Sequence, residues 1–209
     1  MSPREKICGV VLAAGASSRM GREKALLPWP PGTQSGETLL SAAIAALQPV
    51  TEAVIVVAGR NAEQLTPVAE QCGAVVVRNP EPERGQFSSL RAGLGAALER
   101  GFDAAMITPV DCPPLRADSL VKLRAGFEAA RSRGAWAVTP VNGGRRGHPL
   151  AAGGPLIEAL LTAPATSNAR EVQHAHADKF ESVAVADALL RVDVNTPEQY
   201  AALVAKAAV

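Results

Sequence analysis

Four apolar runs of strand length, separated by helical patterns, most constrain how this chain can fold. The runs are Ile7 to Ala14, Ala53 to Ala58, Ala74 to Arg78 and Ala104 to Thr108. Strands that are apolar on both faces are typical of parallel sheets that helices cover on both sides. The alternation therefore predicts an α/β fold: a Rossmann-like three-layer α/β/α arrangement with a mostly parallel sheet.

The segments between these runs have helical periodicity. The expected helices are Thr38 to Leu47, Asn61 to Cys72, Ser88 to Arg100 and Asp118 to Arg133. Asn61 and Gln64 resemble a capping box, whereas Pro67 predicts a break inside the same helix. Ser88 is a candidate cap for the helix that it begins, and Asp118 is expected to be a helix cap or a turn aspartate.

The pattern changes after Ala135, where shorter elements follow. Trp136 to Pro140 and His148 to Ala152 predict a β-hairpin whose Gly-rich turn carries Arg145 and Arg146. The remaining expected elements are helices at Gly154 to Leu161, Asn168 to Ala177 and Pro197 to Lys206, and an exposed strand at Phe180 to Ala186. The sequence has no repeat or linker, so residues 1–209 are expected to form a single domain with a small β-hairpin insertion.

Composition argues against several classes of protein. The net charge of +1 provides no general attraction to nucleic acid or to a membrane surface, so anions must be bound by local charge. No segment approaches the ~20 apolar residues of a transmembrane helix, and the first apolar run, which ends at Gly15, does not resemble a secretory signal. Cys8, Cys72 and Cys112 are scattered, which argues against structural disulfides and favours a cytoplasmic location.

A loop of small residues with well-spaced cations follows the first strand. In residues 15–24, small side chains let backbone N–H groups approach a phosphate, and Arg19 and Lys24 can neutralise it. The loop is not a P-loop, because Ala25 follows Lys24 where a hydroxyl is needed, and it lacks the third glycine of a dinucleotide motif. The pattern favours a nucleotide substrate, although a solvated turn is also compatible with this loop alone.

Two carboxylates follow strands at places where parallel sheets bind ligands. Asp111 comes after the fourth apolar run, and Asp193 lies in a Val-Asp-Val-Asn-Thr-Pro-Glu segment. Carboxylates at such ends can hold Mg²⁺, which usually bridges to substrate phosphates. Each is equally compatible with a turn. The spacing of His148, His174 and His176 does not predict a zinc site.

Two further polar clusters have two interpretations each. Gly85 to Leu90 places Gln86, Ser88 and Ser89 at a helix start, where they either cap the helix or bind a base or ribose. Arg145, Arg146 and His148 form either an exposed hairpin tip or an anion pocket for a second substrate.

Taken together, these motifs resemble the MobA-like nucleotidyltransferases, most closely the molybdenum-cofactor (molybdopterin) cytidylyltransferases. Five segments match or are similar to family motifs, in the correct order, along nearly the whole chain. They are Leu12 to Pro28 (L-A-A-G-x-S-x-R-M-G-x-x-K-x-L-L-P), Gly85 to Leu90 (G-x-x-S-S-L), Asp111 to Pro113 (D-x-P), Gly147 to Pro149 (G-H-P) and Val192 to Glu198 (D-[IV]-[DN]-T-P-E-D).

The resemblance implies roles for individual residues. It implies catalytic roles for Arg19, Lys24 and Asp111, and a Mg²⁺ ion on Asp111 and Asp193. The residues implied to bind the nucleotide are Leu12, Ala13, Ala14, Gly15, Ser17, Arg19, Lys24, Asn79, Gln86, Ser88 and Ser89. Those implied to bind the acceptor are Arg145, Arg146, Gly147, His148 and Pro149.

The resemblance also implies a reaction. The terminal phosphate of a molybdopterin acceptor attacks the α-phosphorus of a nucleoside triphosphate, and pyrophosphate leaves. Ala14 implies CTP, since guanylyl-transferring relatives tend to have a glycine there. A molybdenum hydroxylase is the implied recipient of the product. Thr166 to Arg170 departs from the family's G-D-x-G-A-R, which leaves the acceptor open.

Three alternatives to this function remain. The first is a guanylyl- or other nucleotidyltransferase with a different phosphate acceptor. The second is a non-catalytic chaperone that delivers the pterin cofactor. The third, an NAD-dependent oxidoreductase, is disfavoured by the missing third glycine and by Gly59-Arg60-Asn61, which offers no acidic residue after the second strand.

Overall fold

The structure is a computed structural model that describes residues 5–32 and 34–207, whose strands form an eight-stranded sheet. The strands are β1 (Ile7–Leu12), β2 (Ala53–Ala58), β3 (Val75–Arg78), β4 (Ala104–Pro109), β5 (Ala137–Asn142), β6 (Arg145–Arg146), β7 (Leu150–Gly153) and β8 (Phe180–Ala184). Their order is β3-β2-β1-β4-β7-β5-β6, with β8 paired to β5. The first four strands are mutually parallel and β7 runs antiparallel to β4 and β5, which confirms the mostly parallel sheet.

Helices cover both faces of this sheet. They are α1 (Leu39–Leu47), α2 (Ala62–Gln71), α3 (Gln86–Glu99), α4 (Ala117–Ser132), α5 (Gly154–Thr162), α6 (Ala169–Ala175) and α7 (Pro197–Ala207). Successive β1 side chains point to opposite faces: Val11 packs in one core cluster with Phe127 of α4, and Val10 packs in the other with Leu94 of α3. The three-layer prediction is therefore confirmed. No helix in residues 5–32 and 34–207 is long and apolar enough to cross a membrane.

Several local predictions were wrong. Helix α2 runs through Pro67 without a break, because the fully buried Leu65 and Ala69 anchor it to the core on both sides of the proline. Asn61 makes no capping bond, since its side chain is engaged with the loop after β1. Ser88 and Asp118 lie inside the first turns of α3 and α4, whose N-caps are Gly85 and Arg116.

The topology brings distant segments to one edge of the sheet. Leu12 at the end of β1 pairs with Pro109 at the end of β4, so the loops that follow these two strands start side by side. The Val194 N–H donates to the Asp111 carbonyl oxygen at 2.8 Å, which joins the segment before α7 to the same edge. Residues far apart in sequence therefore meet where parallel strands end.

Candidate functional site

A cavity of about 670 Å³ opens at the carboxyl edge of the sheet. Its walls are the end of β1, the glycine loop (residues 15–24), the segment after β2, the start of α3 and Asp111. Ligand pockets for small molecules typically have volumes of ~300–1,000 Å³. The cavity is therefore large enough for a nucleotide.

The predicted nucleotide residues divide between this wall and positions behind or outside it. Those that line the cavity are Leu12, Ala13, Ala14, Gly15, Ser17, Lys24, Gln86 and Ser89. Asn79 is buried, and its amide donates to Ser88 Oγ at 2.8 Å and to Ser89 Oγ at 3.0 Å. Asn79 thus orients the first turn of α3 from behind. Arg19 projects from the glycine loop as an exposed side chain.

Lys24 connects the glycine loop to the segment after β4 and to the segment before α7. The latter follows a 3₁₀ turn (Ala188–Arg191), so the expectation that Asp193 follows a strand was wrong. Its ammonium donates to Asp111 Oδ2 at 3.1 Å and to Asn195 Oδ1 at 3.0 Å. The Lys24 side chain is 12% exposed and that of Asp111 is 28% exposed, so the pair faces the cavity without being sealed from solvent. The sequence did not single out Asn195 as a partner of Lys24.

Asp193 and Cys112 extend this cluster. The Cys112 thiol lies 3.6 Å from Asp193 Oδ1 and 4.0 Å from Asp111 Oδ1, so the two carboxylates lie around one sulfur. Burial, together with the negative charges of Asp111 and Asp193, raises the pKa of the Cys112 thiol. Cys112 is therefore a neutral spacer between two acids.

The donor set at this edge fits a hard divalent cation. Within residues 5–32 and 34–207, no group of three or more His, Cys, Asp or Glu side chains is arranged to hold a metal. Mg²⁺ and similar ions need only one or two carboxylates when water and substrate phosphates complete the coordination. Asp111 and Asp193 are two such carboxylates, and Asp111 also pairs with the Lys24 ammonium at 3.1 Å.

The residues predicted to bind the acceptor do not lie together, because the hairpin directs them to different surroundings. Arg145 and Arg146 form β6 and are exposed, with no acidic partner among the described residues. His148 instead points back to the sheet, where its Nδ1 lies 3.4 Å from the Ile107 carbonyl oxygen. Gly147 lies beneath Leu190, because a Cβ at this glycine would come within 2.5 Å of Leu190 Cδ1, and Pro149 is buried.

The surroundings of His148 lower the pKa of its imidazole. Burial lowers its pKa, while the Ile107 carbonyl, Asp111 and Asp193 oppose that shift. The lowered pKa means that the folded protein holds the imidazole in its neutral form at pH values where an exposed histidine begins to gain a proton.

Because its pKa is lowered on folding, His148 is expected to make stability fall in acid. The unfolded chain binds this proton near pH 6.5 and the folded chain only at lower pH, so the unfolding free energy decreases as pH falls below 6.5. Urea unfolding between pH 5 and 8 measures this slope, and His148→Gln should flatten it. Equal slopes in both proteins would contradict the assignment.

The glycine loop is held by Ser17 and by two residues, Glu23 and Asn61, to which the sequence assigned no role at this site. Ser17 adopts a φ of 48°, in the left-handed region, and its Oγ accepts the Lys24 N–H at 3.1 Å. Glu23 accepts from Ser17, Ala25 and Asn61. The glutamate precedes Lys24 in a region of positive charge, and that placement was the only sequence signal of its role.

Comparison with known proteins gives consistent matches. A family model described as MobA-like NTP transferase domain matches residues 9–180. The molybdenum cofactor cytidylyltransferase of Escherichia coli K12 is 28% identical over 191 residues, 91% of this chain and 92% of the relative. The molybdenum cofactor guanylyltransferase of Rhodobacter capsulatus is 33% identical over 208 residues, 94% of each chain.

A solved structure shares the fold. A Mycobacterium tuberculosis H37Rv protein, crystallised in complex with manganese, superposes with a TM-score of 0.71 at 22% identity, and the match covers 96% of this chain and 98% of that one. At this identity the likeness concerns the fold alone. The region matched by the family model includes the glycine loop and Asp111 and ends before Asp193.

Proposed function

We propose, because this chain belongs to the MobA-like NTP transferase family, that it transfers a nucleoside monophosphate to the terminal phosphate of a molybdopterin-type acceptor and releases pyrophosphate. The single observation that carries the proposal is the ion pair at the cavity edge. Lys24 of the glycine loop contacts Asp111 and Asn195, which lie 87 and 171 residues further along the chain. The proposed phosphate-binding lysine and the proposed metal-binding aspartate therefore lie on one wall of the cavity.

The reaction requires little covalent participation by protein side chains. Both reactants are anions, so the site must neutralise them and align the attacking oxygen with the α-phosphorus. Arg19, Lys24 and the glycine-loop N–H groups would bind the triphosphate and stabilise the pyrophosphate as it leaves. Asp111 and Asp193 would hold the divalent cation. When bound, that cation supplies charge neutralisation at the phosphates.

We further propose Mg²⁺ as the metal and CTP as the nucleotide. The oxygen-only donor pair of Asp111 and Asp193 supports a hard cation, and the manganese-bound structure of similar fold makes Mn²⁺ the alternative to test. Ala14 supports CTP, and it lines the cavity. The two relatives named above use different nucleotides by their names, so guanylyl transfer is the second candidate.

A thermal-shift series tests the nucleotide assignment. A ligand present at 100 times its Kd stabilises a protein by ~2.7 kcal/mol, so CTP with Mg²⁺ is expected to raise the Tm clearly above the values for GTP, ATP and UTP. The same series with Mn²⁺ separates the metals. A larger shift with GTP would reassign the nucleotide, and no shift with any triphosphate would remove the proposed function.

Binding of the pterin acceptor is expected to depend on residues of the hairpin and not on residues of the glycine loop. Arg145→Ala with Arg146→Ala, and separately His148→Ala, should raise the KM for the pterin acceptor more than the KM for CTP, since uniform binding contacts appear in KM. Steady-state kinetics with each substrate varied in turn measure this. An effect confined to CTP would place the hairpin in the nucleotide site, and no effect would make it an exposed tip.

We also propose a domain organisation, a cellular location and a recipient for the product. The continuous sheet supports residues 1–209 acting as one domain, and the free Cys8, Cys72 and Cys112 support the reducing cytoplasm. A molybdenum hydroxylase is the proposed recipient. A cofactor-delivery chaperone would bind the pterin without consuming nucleotide, so pyrophosphate release separates the two functions.

A further inference from the structure

One side chain joins three segments at the mouth of the cavity. Asn61 Oδ1 accepts the Gly59 N–H at 3.0 Å, at the end of β2. Its Nδ2 donates to the Ala13 carbonyl oxygen and to Glu23 Oε2, each at 2.9 Å. Both donor hydrogens of the amide and its acceptor oxygen are therefore used, and the glycine loop is tied to the ends of β1 and β2.

Glu23 completes the connection from within the loop. Its Oε1 accepts from Ser17 Oγ and from the Ala25 N–H, each at 3.2 Å. Ser17 Oγ in turn accepts the Lys24 N–H, which sets the backbone from which the Lys24 side chain projects. Ser17, Glu23 and Asn61 are therefore connected by hydrogen bonds within and around the glycine loop.

The charge of Glu23 is unexpected at this position. A carboxylate on the wall of a cavity that takes a triphosphate repels the ligand unless its charge is compensated. Ser17, Ala25 and Asn61 each donate a hydrogen bond to the Glu23 carboxylate, so its oxygens are occupied by protein groups. A carboxylate accepts hydrogen bonds but cannot donate one to a phosphate, so Glu23 is suited to hold the loop and not to contact the ligand.

We propose that Glu23 and Asn61 are positioning residues that hold the glycine loop and Lys24 in the geometry needed to bind the triphosphate. The inference rests on the proposed function, which it deepens by assigning the support of the phosphate site. An amide donor at one position must pair with a carboxylate acceptor at the other. A side chain of the same size or the same charge at either position is therefore not sufficient to hold the loop.

This pairing can be broken and partly restored with nearly isosteric changes. Glu23→Gln allows an amide NH₂ to face the Asn61 amide, and Asn61→Asp sets two carboxylates against each other. The double variant, which carries both changes, again pairs an amide donor with a carboxylate acceptor, with the roles of the two positions reversed. The rescue is partial, because an aspartate cannot donate to the Ala13 carbonyl.

The test measures the affinity of Mg²⁺–pyrophosphate by calorimetry and the KM and kcat for CTP and GTP in the whole protein. A hydrogen bond to a charged group is worth roughly 10- to 100-fold in affinity, so each single variant should weaken pyrophosphate binding and kcat/KM for the nucleotide by that factor. The double variant should be less impaired than the product of the two single effects. Glu99→Gln, at the exposed far end of α3, is the matched control.

The readouts separate positioning from general stability. A merely structural role lowers the Tm and the active fraction of the protein but leaves the nucleotide KM and the pyrophosphate Kd unchanged, which would overturn the inference. Single variants that match Glu99→Gln, or a double variant equal to the product of the singles, would also overturn it. If the wild-type protein neither binds Mg²⁺–pyrophosphate nor consumes a triphosphate, the proposed function fails first and the inference fails with it.

Discussion

Asp111→Asn is expected to lower kcat by roughly 100- to 1,000-fold, since a metal ion supplies several kcal/mol of charge stabilisation and each ~1.4 kcal/mol is a factor of ten. Asparagine keeps the size of the side chain but loses the charge that would hold the cation and that pairs with Lys24. The residue lies at a strand end with 28% of its side chain exposed, so the fold should survive. Pyrophosphate release at saturating Mg²⁺ and circular dichroism measure the two effects.

The matched control for Asp111 is Asp118→Asn. Asp118 is exposed in the first turn of α4 and pairs with Arg116, away from the cavity wall. The same chemical change there should leave kcat unchanged. Wild-type turnover by Asp111→Asn at saturating Mg²⁺ and Mn²⁺ would remove the metal-binding role.

Lys24→Ala is expected to raise the KM for the triphosphate and to lower kcat. One charge-assisted phosphate contact contributes ~1.5–3 kcal/mol, which corresponds to roughly 10- to 100-fold in kcat/KM. The ammonium also neutralises Asp111 in the free protein, so its removal should leave metal affinity intact or increase it. Steady-state kinetics and Mn²⁺ titration by electron paramagnetic resonance measure these opposite effects.

Lys122→Ala is the control for Lys24, because Lys122 is exposed on α4. It should change neither the kinetics nor metal binding. If Lys24→Ala keeps both kinetic parameters, Lys24 is only a partner of Asp111 and Asn195. If it loses metal affinity together with activity, the separation between a phosphate-binding lysine and a metal-binding aspartate is wrong.

Local periodicity and one topological rule were enough to predict the layers and the location of the cavity. The continuous apolar runs of β1, β2 and β4 define a sheet buried on both faces. Parallel strands end at one edge, which is why the glycine loop and Asp111 could be expected to meet. Neither conclusion depends on a particular side-chain contact.

Contacts between distant side chains were beyond sequence patterns. Asn61 has a residue type and position suited to a helix cap, but the three partners it finds in the folded chain outcompete that local bond. His148 is close to Arg145 and Arg146 in sequence, yet the short strand β6 and the turn after it direct it to the Ile107 carbonyl. The bond from Lys24 to Asn195 joins residues 171 positions apart and has no local signature.

Direct detection of the transferred nucleotide tests the central claim. The protein is incubated with molybdopterin cofactor, Mg²⁺ and CTP or GTP carrying a labelled α-phosphate, and the pterin products are resolved by mass spectrometry. The account predicts that the pterin gains one nucleoside monophosphate with retention of the α-label, that an equal amount of pyrophosphate appears, and that Asp111→Asn forms almost none. Nucleotide hydrolysis without a pterin dinucleotide, or pterin binding with no nucleotide consumed, would contradict it.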